Sequence, residues 1–134
     1  MKTLTDEHQE IASLARQVIG NLDQGNFEIA ASQLAQLAIL FDRHGRFEEV
    51  SIFHQLVLAG EATEEVDNLL ADHFKFRKGF FDLEAVSRPE ELRKLLQELF
   101  DHAELEETDL FPYAWQVLPG ASWHLIEASA APPI

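Results

Sequence analysis

One ten-residue frame occurs twice in this chain and constrains it more than any other feature. His44-Gly45-Arg46-Phe47-Glu48-Glu49-Val50-Ser51-Ile52-Phe53 reads histidine, three residues, Glu-Glu, two residues, an aliphatic and Phe. His102-Ala103-Glu104-Leu105-Glu106-Glu107-Thr108-Asp109-Leu110-Phe111 repeats it, and Phe41-Asp42 before the first copy parallels Phe100-Asp101 before the second. A histidine and a carboxylate four residues apart lie on one face of a helix, one turn from each other. In the second copy that face continues through Leu92, Leu95, Leu99 and Leu105 at helical spacing. An imidazole and a carboxylate aimed at an apolar core are costly to bury unless hydrogen bonds or a metal ion satisfy them. One such pair arises by chance on many helices; two copies in an extended frame carry far more weight.

Around these copies the chain reads as four amphipathic helices. Thr5 is the expected N-cap of the first, with Asp6 and Glu7 in its first turn, a stripe of His8, Ile11, Ala15, Val18 and Leu22, and a stop at Gly25. The second starts near Asn26, carries Ala30, Leu34, Leu37, Phe41, His44, Glu48 and Ile52, and ends by Gly60. Gly45 inside it costs about 1 kcal/mol against alanine. Thr63 is the expected cap of the third, whose stripe of Val66, Leu69, Leu70, His73, Phe76 and Phe80 fades near Ala85. Ser87-Arg88-Pro89-Glu90 has the form of a capping box with proline in the first turn. The fourth helix follows with His102 and Glu106, and Pro112 is expected to bend or end it. Pro119-Gly120 breaks the chain, Trp123 to Glu127 reads as a short helix, and the tail to Ile134 as loose. No stretch has strand periodicity. The expectation is an all-α, up-down-up-down four-helix bundle in a single domain, 1–134, with the bundle over about 5–117 and a C-terminal tail over 118–134.

In an antiparallel pair, residues equidistant from the turn lie at one height. His8 stands 17 residues before Gly25 and His44 19 after it; His73 stands 14 before Ser87 and His102 15 after it. Both hairpins therefore level their histidines to within about one turn, at roughly 1.5 Å per residue. Around Gly60 the fit is looser, with His44 16 residues away and His73 13, and Glu48 covers part of the difference. Six residues emerge as candidate metal ligands: His8, His44, Glu48, His73, His102 and Glu106. No lysine in the stripes pairs the two carboxylates, and imidazole with carboxylate, without sulfur, suits iron, manganese or zinc. Two carboxylates among four imidazoles suggest two ions with bridging carboxylates. His54 is rotated off the His44 face and His124 lies in the C-terminal segment, so neither is expected to ligate. Glu49 and Glu107 are expected to be solvated. Phe41, Phe47, Phe76, Phe80 and Phe100 are expected to pack the core, and Tyr113, Trp115 and Trp123 the open end of the bundle.

Composition narrows the function classes. The 134 residues are 46% hydrophobic, enough for a real core. The absence of cysteine removes disulfides and thiolate chemistry. The net charge of −14 argues against nucleic acid and anionic membranes as partners. With no leader peptide or membrane-spanning run visible, a cytoplasmic protein is expected.

Glu7-His8, His44 with Glu48, His73, and His102 with Glu106 and Leu110-Phe111-Pro112 together resemble the hemerythrin-like (HHE cation-binding) family, over His8 to about Pro112. The resemblance implies a non-haem di-iron centre in a four-helix bundle, with dioxygen or peroxide as its small ligand. It departs from the oxygen-carrying branch in two places. That branch has a second histidine one turn after the third-helix one, where this chain has Arg77, and a fourth-helix carboxylate five residues after the histidine, which would select Glu107. The spacing shared with His44 and Glu48 selects Glu106. Arg77 cannot ligate, because a guanidinium stays protonated; it is expected to reach solvent along its stem, to pair with an acid at the rim, or to donate to an anionic ligand on the iron.

The leading functional reading is a di-iron protein, with iron or another divalent cation in two positions, that senses, scavenges or carries dioxygen or a related oxidant. Iron storage or iron sensing is the alternative, and an acidic helical interaction module without metal is a third. A ferritin-like oxidase places Glu three residues before its ligating histidines; Thr5, Phe41, Leu70 and Leu99 occupy those positions here.

Overall fold

The apolar stripes produce four long helices in a computed structural model, which describes residues 4–120. The first runs Leu4–Asp23. The second runs Phe27–Glu48, passes through a π turn at Glu49–Phe53 and continues as His54–Leu58. The third is Thr63–Phe80. The fourth runs Pro89–Leu105, passes through a second π turn at Glu106–Leu110 and continues as Phe111–Val117. There is no strand among the described residues. The short helix expected at Trp123 to Glu127, His124 and the tail to Ile134 lie outside them.

The turns follow from glycine. Gly25 and Gly60 adopt φ of 77° and 70°, a left-handed conformation that a Cβ would strain. They let Asn26 N–H donate to the Asn21 carbonyl at 2.8 Å and Glu61 N–H to the Leu56 carbonyl at 2.9 Å, closing each helix end. The side-chain caps expected at Thr63 and Ser87 do not form. Thr63 is already inside its helix, where a hydroxyl no longer faces the free N–H groups, and Ala62 holds the cap position; the Thr5 side chain lies outside the described residues. Ser87 sits in a 3-10 turn, Ala85–Ser87, and its hydroxyl donates to the Glu84 carbonyl at 2.6 Å, so Arg88 becomes the cap and no capping box exists. Pro112 does not end the fourth helix, because the π turn ahead of it relaxes the one-turn pairing that proline disrupts.

The buried faces differ from expectation at three places. In the fourth helix, Leu92, Leu96 and Leu99 are buried at four- and three-residue steps, which leaves Leu95 at the margin and Leu105 46% exposed. In the third, Leu69 points inward and Leu70, about 100° further round, is exposed. Ala114 takes the inward position beside Tyr113 and Trp115, so both aromatics are exposed rather than packed.

Two apolar clusters fill the bundle. One contains Ile11, Val18, Leu37, Phe41, Phe76 and Leu96, the other Ile52, Phe53, Leu56, Val66, Leu69 and Leu110. Between them lies a buried polar layer of histidine and glutamate. No described helix is long and apolar enough to cross a membrane.

Candidate metal centre

All six candidate ligands meet in that layer. His8, His44, Glu48, His73, His102 and Glu106 are each buried, with Glu48 and Glu106 wholly inaccessible. The level heights inferred from the turns hold: the rings of His8 and His44 are 4.6 Å apart and those of His73 and His102 4.9 Å. Glu48 lies between the two pairs and divides its oxygens. Oε2 faces His44 Nε2 at 3.4 Å and His8 Nε2 at 3.6 Å, while Oε1 faces His73 Nε2 at 3.2 Å. Glu106 Oε1 is 2.7 Å from His102 Nε2 and 3.6 Å from His8 Nε2. Donor atoms thus gather in two groups, Glu48-His73-His102-Glu106 and His8-His44-Glu48, that share Glu48.

Each of these four histidines turns its other nitrogen outward to a carboxylate. His8 Nδ1 donates to Glu107 at 2.8 Å, His44 Nδ1 to Glu7 at 3.0 Å, His73 Nδ1 to Glu49 at 2.9 Å and His102 Nδ1 to Asp72 at 3.0 Å. The four bonds form a closed ring: each helix holds the histidine of the next, and the fourth holds that of the first. A carboxylate on Nδ1 fixes the tautomer and leaves the Nε2 lone pair facing inward. Glu49 and Glu107 are therefore not merely solvated, as their positions had suggested. Their signal lies in the sequence: each of the four carboxylates is the chain neighbour of an inward residue, about 100° round the helix, where it reaches the adjacent helix.

The repeated frame also acquires a meaning. Phe53 stacks on His73 at 5.4 Å and Phe111 on His8 at 5.7 Å. In each copy the second Glu and the terminal Phe grip the same histidine on the following helix, from within or directly beyond the π turn. The hydroxyls of Ser51 and Thr108 donate to the carbonyls of Phe47 and Glu104, one turn back, at 2.5 and 2.8 Å. Phe41 and Phe76 add edge contacts to His73 and His102.

His44 Nε2 and both oxygens of Glu48 and of Glu106 are buried without a hydrogen bond. Five such atoms in one layer, each costing about 1–3 kcal/mol if left unmet, are far from the usual state of a core. Cations held by the two donor groups would meet all of them, and the mixed oxygen and nitrogen set fits such ions. The family model described as the hemerythrin HHE cation-binding domain matches residues 1–114. The chain belongs to the hemerythrin HHE cation-binding family. No curated protein and no solved structure gave a match.

The metal-free charge balance of this hemerythrin-family centre follows from burial against pairing. Burial pulls His8 down, but contacts with Glu106 and Glu48 and their charges push it up to about 11. Burial likewise opposes the Glu48 charge and the Glu48 and Glu7 contacts at His44, and the Glu48 and Glu49 contacts at His73; each rises to about 9. Burial raises Glu48, but the His44 charge and contacts with Glu106, His44 and His73 hold it well below the usual carboxylate range. Glu106 is raised, by burial and by the charge of Glu48 beside it. Without metal, the hemerythrin-family chain therefore favours protons on His8, His44 and His73, whose nitrogens a cation requires bare. Of its expected roles Arg77 takes the pairing with acids: it bonds Glu49 and Asp42 and does not reach into the donor set. His54 is exposed on the second helix, away from the centre.

Proposed function

We propose that this chain is a non-haem di-iron protein that reacts with dioxygen or a related small oxidant, as a sensor or scavenger. The observation that carries the reading is Glu48, whose two oxygens face different histidine pairs. That is the arrangement of a carboxylate shared by two ions. His8 and His44 would hold one iron, His73 and His102 the other, with Glu48 and Glu106 between them. Iron bound there supplies an open position and a one-electron couple for a small oxidant.

The chain's own residues account for the rest. Glu7, Glu49, Asp72 and Glu107 keep the histidines in one tautomer and orientation. Phe41, Phe53, Phe76 and Phe111 line the imidazoles with apolar surface and keep bulk water off them. Arg77 stands where a further histidine would close a position, and it offers no lone pair. This favours an oxidant-reactive centre over a carrier. Anaerobic reconstitution with ferrous iron, followed by exposure to air or peroxide under a spectrophotometer, tests the reading. A near-ultraviolet to visible charge-transfer band that appears with two irons per chain supports it. Iron that is taken up and not oxidised favours storage or iron sensing, and no uptake favours the interaction module.

A further inference from the structure

One chain of contacts leads from the metal centre toward the surface. Glu49 Oε2, which accepts from His73 Nδ1 at 2.9 Å, also accepts from Arg77 Nη2. Arg77 Nε donates to Asp42 Oδ1 at 2.9 Å, and Arg46 Nε holds both oxygens of Asp42 at 3.1 Å. Arg77 is only 21% exposed. Its seat depends on Gly45: a Cβ there would stand 3.2 Å from Arg77 Nη2 and 3.3 Å from His73 Nδ1, tighter than side chains normally pack. Any other residue at 45 crowds both the guanidinium and the imidazole. A glycine inside a helix is otherwise unfavourable, and this close approach accounts for it.

Glu49 is a flexible side chain with 24% of its surface in water. Bonded to His73 alone, it is free to rotate away. A guanidinium is a rigid planar donor that fixes a carboxylate in place. We propose that Arg77 is a positioning residue of the metal centre: it clamps Glu49 on the Nδ1–H of His73 and so aims His73 Nε2 at Glu48, and Gly45 is the space that admits the clamp. The inference rests on the reading that the six buried residues hold metal.

The test is ferrous-iron affinity, measured anaerobically against a colorimetric chelator, for wild type, Arg77→Leu, Glu49→Ala and the double variant. Arg77→Leu weakens binding roughly ten-fold or more, the range typical of an outer hydrogen-bond partner. Arg77→Lys recovers part of it. The double variant binds no more weakly than Glu49→Ala, because Arg77 acts through Glu49. A merely structural ion pair would instead lower the melting temperature of the metal-free protein and leave affinity unchanged. Circular dichroism confirms that each variant folds; should Arg77→Leu not fold, Arg77→Gln, which keeps a polar stem and loses the charged fork, shows the same loss. Wild-type affinity in a folded Arg77→Leu, or losses that multiply in the double variant, overturn the inference alone. A wild type that takes up no iron overturns the proposed function and this inference with it.

Discussion

Glu107 accepts a hydrogen bond from His8 Nδ1 at 2.8 Å, joining the end of the bundle to its beginning across 99 residues of chain. The bond closes the ring in which each helix orients the histidine of the next. It also separates the two adjacent glutamates by role: Glu106 turns wholly inward to His102, and Glu107 holds His8 from outside. Glu107→Gln is therefore expected to keep the number of bound ions and weaken affinity about 10- to 100-fold. Glu106→Gln is expected to lose an ion. Metal analysis and chelator competition on both variants check this; the reverse order of damage would assign Glu107 the inward role.

Histidines inside and outside the layer should differ sharply. His44→Ala removes a buried Nε2 of the His8-His44-Glu48 group and leaves Glu7 without its partner, so metal occupancy should fall by half or more. His54→Ala changes an exposed ring and should leave occupancy and stability within about 0.5 kcal/mol of wild type. Equal losses would show that the facing of the second helix is wrong.

Helix number, turn positions and the six inward residues were legible because each rests on a period or a count: apolar stripes, histidines level about Gly25 and Ser87, and a frame written twice. The π turns were not legible. Nothing local in Glu49–Phe53 or Glu106–Leu110 prefers a widened turn; the burial of Glu48 and Glu106 and the grip of the following residues on a neighbouring helix do. The outward carboxylates were missed for a related reason. Glu7, Glu49, Asp72 and Glu107 look like ordinary surface acids until the adjacent helix is in place. The caps at Thr63 and Ser87 failed because a one-residue shift in the helix start decides a cap, and tertiary packing set that start.

Metal should stabilise the fold, because only the native state brings the donor set together. At free metal 100 times its dissociation constant the gain is about 2.7 kcal/mol, on the order of 10 °C for a domain of this size. Calorimetry before and after chelation measures it. An unchanged melting temperature with metal loss verified would contradict the account.

The metal-free protein should lose stability as pH rises. His8, His44 and His73 hold their protons more tightly when folded than at the ordinary value of 6.5. Their contribution is complete below that value and is lost as pH climbs through about 9 and then about 11. The same protons must leave when metal binds, so affinity should increase from pH 6.5 toward 9, and uptake at neutral pH should release protons into a weakly buffered solution. Denaturant melts across this range and an indicator-dye titration test both signs; stability that rises with pH would refute the charge balance.

The central claim is that Glu48 is shared between two ions. Mössbauer spectroscopy of the fully loaded, air-oxidised protein, combined with iron analysis, addresses it directly. The account predicts two irons per chain in a diamagnetic, antiferromagnetically coupled ground state. Saturation at one iron per chain, or two irons with no magnetic coupling, would contradict it.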